Sequence, residues 1–419
     1  PYLKDLGINQ IQCMPVYEFE ESGIKVNYWG YGPGYYFAPK SAYSEDGDGV
    51  KGLKDLVKSC HKSGIEIVLE MPFDEEVPGM TVTDCLRHYV MEYHVDGFIL
   101  NPYNVPFDTI KKDPILARTR LLKHGNEFQN VMRRFLKGDE GLVTEVMYQT
   151  RKRADFEGIY NCITTHTGFT LKDLVSYDGK HNEGNGENNQ DGPDYNYSWN
   201  CGAEGASRKK AVLELRKNQM RNAMFLLLLS QGVPCLLAGD EFANSQKGNN
   251  NVYCQDNPIG WLNWRNRLKE QEFYQFVKQL IELRKKYRVF HQKQELLGVD
   301  RSGCGMPDVS YHGEMAWRAP AEVASRQIGI YLSGQEKEED CFVAYNMHWL
   351  EHEFALPALK KGRKWYCIAS TEEGILKKPI VLENQRKIEL EERKIVVLAG
   401  LAEEAQNRLN KDAAKRSDK

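Results

Sequence analysis

A chain of 419 residues with 41% apolar and 27% charged side chains has the composition of an ordinary folded protein, with ample material for a buried core. Its formal charge of −3 and pI near 6.4 give no general attraction to phosphates or anionic lipid, so the reading is no nucleic acid and no membrane, with neutral polymers left as partners. The length suits a barrel-sized unit of about 250 residues plus one smaller domain.

Pro1–Leu6 reads as the rear half of a helix, which implies an upstream segment. From there to about residue 295, short apolar strands alternate with amphipathic helices, the pattern of a parallel βα architecture. Strands are predicted at Ile8–Val16, Ile65–Pro72, Val95–Pro102, Arg118–Lys123, Leu142–Met147, Tyr160–Thr165 and Pro234–Ala238. Helices are predicted at Val50–Ser63 and Val212–Ser230, the second followed by the stop signal Gly232. After a helix at Gln271–Tyr287 the period changes to short alternating runs at Gln327–Leu332, Cys341–Asn346, Lys364–Ile368 and Lys394–Leu398, a small β domain. The end of the chain, from Ala402 to Lys419, is charged and rich in small residues, and reads as a frayed helix or disordered tail.

The ten cysteines are scattered, without a CxxC pair or zinc spacing, and read as reduced thiols in a cytoplasmic protein that needs neither metal nor other cofactor. The longest apolar run, Ala223–Leu229, is far short of the roughly 20 residues that cross a bilayer.

Four long motifs stand out: NYWGYGPGYYFAPKSAYS at 27–44, TGFTLKDLVSY at 167–177, KHNEGNGENNQDGPDYNYSWNCGAEG at 180–205 and LLAGDEFANSQKGNNNVYCQDN at 236–257. They resemble signatures of the α-amylase superfamily, most closely its isoamylase or glycogen-debranching branch, over roughly residues 1–320. The resemblance implies an α/β fold: a TIM-type (β/α)8 barrel at 1–295 whose first strand lies upstream of Pro1, then a C-terminal all-β sandwich at 296–400 and a charged tail at 401–419. It also implies an α-glucan ligand (glycogen, amylopectin or maltooligosaccharide). Tyr31 falls where the family stacks an aromatic ring on the sugar; a loop-packing tyrosine is the alternative. His166, His181, Asn182, Asp240 and Glu241 fall within motifs that line the family's glucan groove.

The chemistry of that family is missing. A retaining glycosidase uses one carboxylate as nucleophile and a second carboxyl as acid and base. The family strand VDGFRFDLA is here VDGFILNPY, which puts Ile99 at the arginine position and Asn101 at the nucleophile. A neutral amide is a poor nucleophile and does not steady an oxocarbenium-like transition state. The acid position aligns with His124 in RLLKHGN, read as a solvated histidine on a shortened loop. The third carboxylate, in a motif like HDGFTL, is replaced by Thr167 in HTGFTL. The segment resembling DVVFNHT is EMPFDEE, which makes Asp74 and Glu75 the candidates for relocated carboxylates.

Smaller signals have plainer readings. The glycines of WGYGPG and the acidic EDGDG at 45–49 read as turns rather than phosphate or calcium loops. Tyr195, Tyr197 and Trp199 read either as lining a groove or as the buried face of an extended segment. Three functions stay open: a catalytically inactive isoamylase-like protein that binds glucan or supports an active homologue as partner; a debranching hydrolase of α-1,6 linkages with relocated carboxylates; or a decayed or partial gene product.

Overall fold

The computed structural model describes residues 1–22, 26–335 and 338–402. The tail expected at 401–419 therefore lies outside the described residues from 403 onward. The chain separates into two compact units, one made of residues 1–125, 154–160 and 252–261, the other of 126–153, 161–251 and 262 onward.

In the first unit the short helix α1 (Tyr2–Leu6) leads into strand β1 (Gln10–Cys13), and a hairpin follows from β2 (Tyr17–Phe19) and β3 (Gly34–Pro39). Helix α2 (Gly49–Lys62), strand β4 (Glu66–Glu70), helix α3 (Gly79–Tyr93), strand β5 (Gly97–Ile99), helix α4 (Phe107–Lys112) and strand β6 (Arg120–Leu122) complete it. β1, β4, β5 and β6 form a four-stranded parallel sheet in that order. The EDGDG segment is a turn that starts α2: the Asp48 carboxylate accepts the Lys51 amide at 3.0 Å, and Asp46 pairs with the Lys51 ammonium at 2.6 Å.

Alternation along these strands sorts their side chains onto two faces. On one, Ile67, Leu69, Met71, Phe98 and Leu100 pack in a single core with Leu53, Val57 and Cys60 of α2 and with Val82, Cys85, Leu86, Tyr89 and Tyr93 of α3. The helix residues recur at three- and four-residue spacing, which is why these segments coil and which stripe they bury. The opposite face carries Glu66, Val68, Glu70, Ile99, Arg120 and Leu122, the residues between them. β5 approaches β6 closely at Gly97, where a Cβ would sit 2.3 Å from the Arg120 carbonyl oxygen.

The second unit contains helices α5 (Glu127–Lys137), α6 (Val143–Arg151), α7 (Leu171–Leu174), α8 (Lys210–Leu229), α9 (Asn266–Lys269) and α10 (Gln271–Lys286). From Met220 to Leu229 every residue of α8 is buried, the apolar run Ala223–Leu229 on all sides and Arg221 and Asn222 through hydrogen bonds. Strands β7 (Val309–His312), β8 (Gln327–Leu332), β9 (Cys341–Asn346), β10 (His352–Ala355), β11 (Arg363–Ser370), β12 (Gly374–Val381), β13 (Lys387–Leu390) and β14 (Lys394–Ala402) follow. They form a six-stranded antiparallel sheet, β12-β11-β14-β9-β8-β7, and a two-stranded one, β10-β13. Phe354 and Leu390 of the small sheet share a buried core with Tyr331, Phe342, Trp365 and Leu398 of the large one.

Three expected strands differ. Leu142–Met147, strand-like by its β-branched content, lies in α6, because Val143, Val146, Gln149 and Thr150 are buried at helical spacing. The runs Tyr160–Thr165 and Pro234–Ala238 meet as one parallel bridge, Asn161 with Pro234, closed by Asn161 N–H to Val233 O at 2.8 Å and Cys235 N–H to Asn161 O at 2.7 Å. The eight-fold strand set is thus represented, among the described residues, by a four-stranded sheet and this bridge. All ten cysteines are free thiols. No helix of the described residues is long and apolar enough to cross a membrane.

The close approach at Gly97 yields a stability test. Gly97→Ala is expected to cost about 2–3 kcal/mol through displacement of β6, read as a lower denaturant midpoint. An unchanged midpoint would show that the two strands can part without penalty.

Candidate functional site

The core-averted face of the parallel sheet is built in layers. In the first, Gln10 donates to the Glu66 carboxylate at 2.9 Å and the Arg120 guanidinium pairs with it at 3.2 Å. The next is apolar: Val68, Ile99 and Leu122 pack together, with Tyr160 against them. Ile99 fits here as a hydrocarbon, where the resemblance puts an arginine.

The third layer holds the site. Glu70, two residues beyond Val68 on the same face, ends β4 with its side chain 9% exposed. One of its oxygens, Oε1, accepts the Tyr31 hydroxyl at 2.8 Å and lies 2.7 Å from Nε2 of His124. A carboxylate is acceptor-only, so His124 must present an N–H at Nε2. The hydrogen bond to Glu70 raises the His124 pKa above its ordinary value, against the opposing effect of burial. Burial, together with the same carboxylate, holds the Tyr31 phenol far above its usual range, so it remains a donor. The Tyr31 ring stands edge-to-face against Trp29 at 5.8 Å, and Trp29 against Tyr253 at 6.3 Å. Asn27 fixes the loop by donating to the Tyr31 carbonyl at 2.6 Å.

The structure thus brings Tyr31 and His124 together through a carboxylate that the sequence reading passed over. His124 is half exposed yet paired, rather than a merely solvated histidine. The signal for Glu70 was its parity: alternate residues of EIVLE leave the hydrophobic core, and Glu70 is the last of them. Asn101 lies just past β5, exposed, its side-chain oxygen accepting the Tyr103 amide at 3.1 Å. Asp74, half buried, and Glu75, exposed, occupy the turn into α3, where the Asp74 carbonyl accepts the Val77 amide at 3.1 Å.

The remaining candidates belong to the second unit. Thr167 is exposed and His166 half buried, and the Thr165 hydroxyl donates to the Thr167 carbonyl at 3.1 Å. His181 is exposed, 3.2 Å from Glu204 and edge-on to Tyr177 at 5.3 Å. Asn182 is wholly enclosed: its amide donates to Asn250 at 2.8 Å and to the Asp191 carbonyl at 2.9 Å, and its oxygen accepts the Asn250 amide at 2.9 Å. Asp240 and Glu241 are also buried. Asp240 accepts from the Thr164 hydroxyl and from the Leu171 amide at 2.8 Å, while Glu241 accepts the Gly239 amide at 2.9 Å. Burial pushes the Asp240 carboxyl up to about 7; Glu241 adds to the rise, and its hydrogen bonds and the Arg133 charge oppose it. Asn182, Asp240 and Glu241 are thus buried, whereas His166 is half buried and Thr167 and His181 are exposed. The 195–199 run buries Asn196 and Ser198 and turns Tyr195 outward, so its aromatic residues are not a core face.

Comparison with known proteins gives the same family from independent matches. A GlgX homolog, a glycogen operon protein of Haemophilus influenzae, is 32% identical across 70% of this chain and 59% of its own. The GlgX homolog of Mycobacterium tuberculosis is 28% identical across 87% of this chain and 66% of its own, and the chloroplastic isoamylase 3 of Oryza sativa 29% across 88% and 59%. The chain belongs to the isoamylase and glycogen-debranching branch of the α-amylase superfamily. No family model matches it. Among solved structures, a pullulanase from Bacillus acidopullulyticus superposes with a TM-score of 0.69 at 17% identity, over 95% of this chain and 55% of that one. A pullulanase from Anoxybacillus sp. LM18-11, solved with maltotetraose, gives 0.66 at 19%, over 96% and 65%. These show the shared fold. The chain spans about three fifths to two thirds of the length of the curated relatives it matches.

Two titrations test the electrostatics. The Glu70–His124 pair raises the folded histidine pKa, so its contribution to stability is complete below about 6.5 and is lost as pH rises through the folded value. Glu70→Gln is expected to bring the His124 pKa down, followed by NMR; an unmoved titration would break the assignment. Asp240 is likewise raised, so folding becomes less favourable as pH climbs from the unfolded carboxylate value through about 7. The melting temperature is expected to fall between about pH 5 and 7 in the native protein and less in Asp240→Asn, whereas parallel profiles would show that Asp240 ionises without cost.

Proposed function

We propose that this chain is an α-glucan-binding, catalytically inactive relative of debranching enzymes, acting by holding glucan or by supporting an active homologue. The observation that carries this reading is Asn101: a neutral amide stands at the nucleophile position, with its oxygen occupied by the Tyr103 backbone. Thr167 at the third carboxylate position and His124 at the acid position point the same way. Members of a catalytic set act as a unit, so loss of all three leaves little to build on. We further read residues 1–295 as a region of (β/α)8-barrel type, with a β-sandwich at 296–400. The free thiols support a reducing, cytoplasmic setting.

Glucan binding is supported by the Tyr31 ring, held by Glu70 and Trp29, and by pullulanase neighbours that were solved with maltooligosaccharides. His166 and His181 are the candidate contacts in the second unit, together with the buried Asn182, Asp240 and Glu241. Relocated catalysis at Asp74 and Glu75 gains no support from their place in a turn.

The purified chain is expected to release no reducing ends from a branched α-glucan, and Asn101→Asp alone is expected not to start cleavage, since the other two carboxylates stay absent. Retention on immobilised glycogen is expected to drop in Tyr31→Ala. Robust α-1,6 cleavage by the native chain, abolished in Asp74→Ala or Glu75→Ala, would replace this reading with that of a hydrolase.

A further inference from the structure

Trp261 presents a second aromatic surface in the first unit, and its immobilisation is unusual for so exposed a ring. The indole is 55% exposed, which leaves a large apolar area in water. Yet its N–H is tied to Asp256 Oδ1 at 2.8 Å, and its backbone amide donates to the Asn257 carbonyl at 3.0 Å. The turn that bears it is closed by further bonds: Gly260 N–H to Asn257 O at 2.9 Å, Ile259 N–H to Asn257 Oδ1 at 2.9 Å, and Asn257 Nδ2 to Gln255 Oε1 at 2.6 Å. A Cβ at Gly260 would stand 2.3 Å from the Gln255 carbonyl oxygen, so the turn tolerates only glycine there without rearrangement.

The same segment is anchored to the Tyr31 loop. Tyr253 accepts the Tyr28 amide on its carbonyl at 2.7 Å, and its ring meets Trp29, which in turn meets Tyr31. One stretch of chain, 252–261, therefore buttresses the Tyr31 ring at one end and displays Trp261 at the other.

A rigid, exposed indole with its polar edge already satisfied by a carboxylate has only its apolar faces to offer. The C–H face of a pyranose matches that surface, and prior immobilisation spares the entropy of ordering the ring on binding. We propose that Trp261 is an additional sugar-stacking subsite that engages a glucose unit of an α-glucan longer than the segment held at Tyr31. This deepens the glucan-binding reading above and rests on it.

Binding of maltotriose and maltoheptaose to the native chain, Trp261→Ala, Trp261→Phe and Tyr31→Ala, by calorimetry, tests the subsite. Circular dichroism and melting temperature serve as the folding control, which an exposed substitution is expected to pass. Trp261→Ala is expected to weaken maltoheptaose binding by about tenfold, the scale of burying part of an indole, and to leave maltotriose unchanged. Trp261→Phe is expected to recover part of the loss. Tyr31→Ala is expected to weaken both ligands. Equal affinities of the native chain and Trp261→Ala for maltoheptaose would overturn the subsite while leaving glucan binding intact, as would an equal loss for both ligands. No binding of either ligand by the native chain would overturn the glucan reading itself, and the subsite with it.

Discussion

One carboxylate oxygen, Oε1 of Glu70, receives a hydroxyl from the β2–β3 region and an imidazole from beyond β6, and this convergence organises the end of the parallel sheet. A charge at the rim of an apolar layer is costly unless it is paired, and Tyr31 and His124 supply both partners. The arrangement leaves Tyr31 fixed as a surface rather than as a reactive group. Its phenol is committed to donating, its ring is braced by Trp29, and the loop behind it is pinned by Asn27.

The second unit reaches the same end by another route. Its long polar motif reads as if made for solvent or sugar, yet Asn182, near its start, is enclosed and bonded to Asn250 and Asp191. Asp191 also accepts from Asn185 at 2.7 Å and Asn251 at 2.9 Å, so the 180–191 and 249–251 segments are stitched together side chain to side chain. Asparagine suits this task because one short side chain supplies both donor and acceptor, and loop backbones need both. Asp173 does similar work with charge, accepting the Ser245 hydroxyl at 2.5 Å and the Gln246 amide at 2.7 Å. These motifs therefore have a role in loop architecture, whether or not a reaction follows.

On the reading proposed above, Ile99, Asn101 and Thr167 stand at positions where the resemblance implies charged groups. Ile99 joins Val68 and Leu122 in an apolar layer, Asn101 closes a turn, and Thr167 sits on an exposed loop. Each of these side chains is compatible with its surroundings in the fold. Tyr31 and Trp261 both present rings whose polar edge donates to a carboxylate.

The sequence by itself determined the family, the β-rich C-terminal region and most helices, because the relevant signals are local: β8 and β9 match their predicted bounds, and α2, α8 and α10 match to within a residue or two. It also placed Asn101, His124 and Thr167 at motif positions where the resemblance implies carboxylates, since that is a matter of residue identity. It misread α6, where β-branched residues outweighed a helical spacing visible only once the buried side was known. Only the tertiary structure shows that Glu70 accepts the Tyr31 hydroxyl and pairs with His124. Residues 54 positions apart meet at 2.7 Å because parallel strands carry them to the same edge on the same face, a proximity that no local pattern encodes.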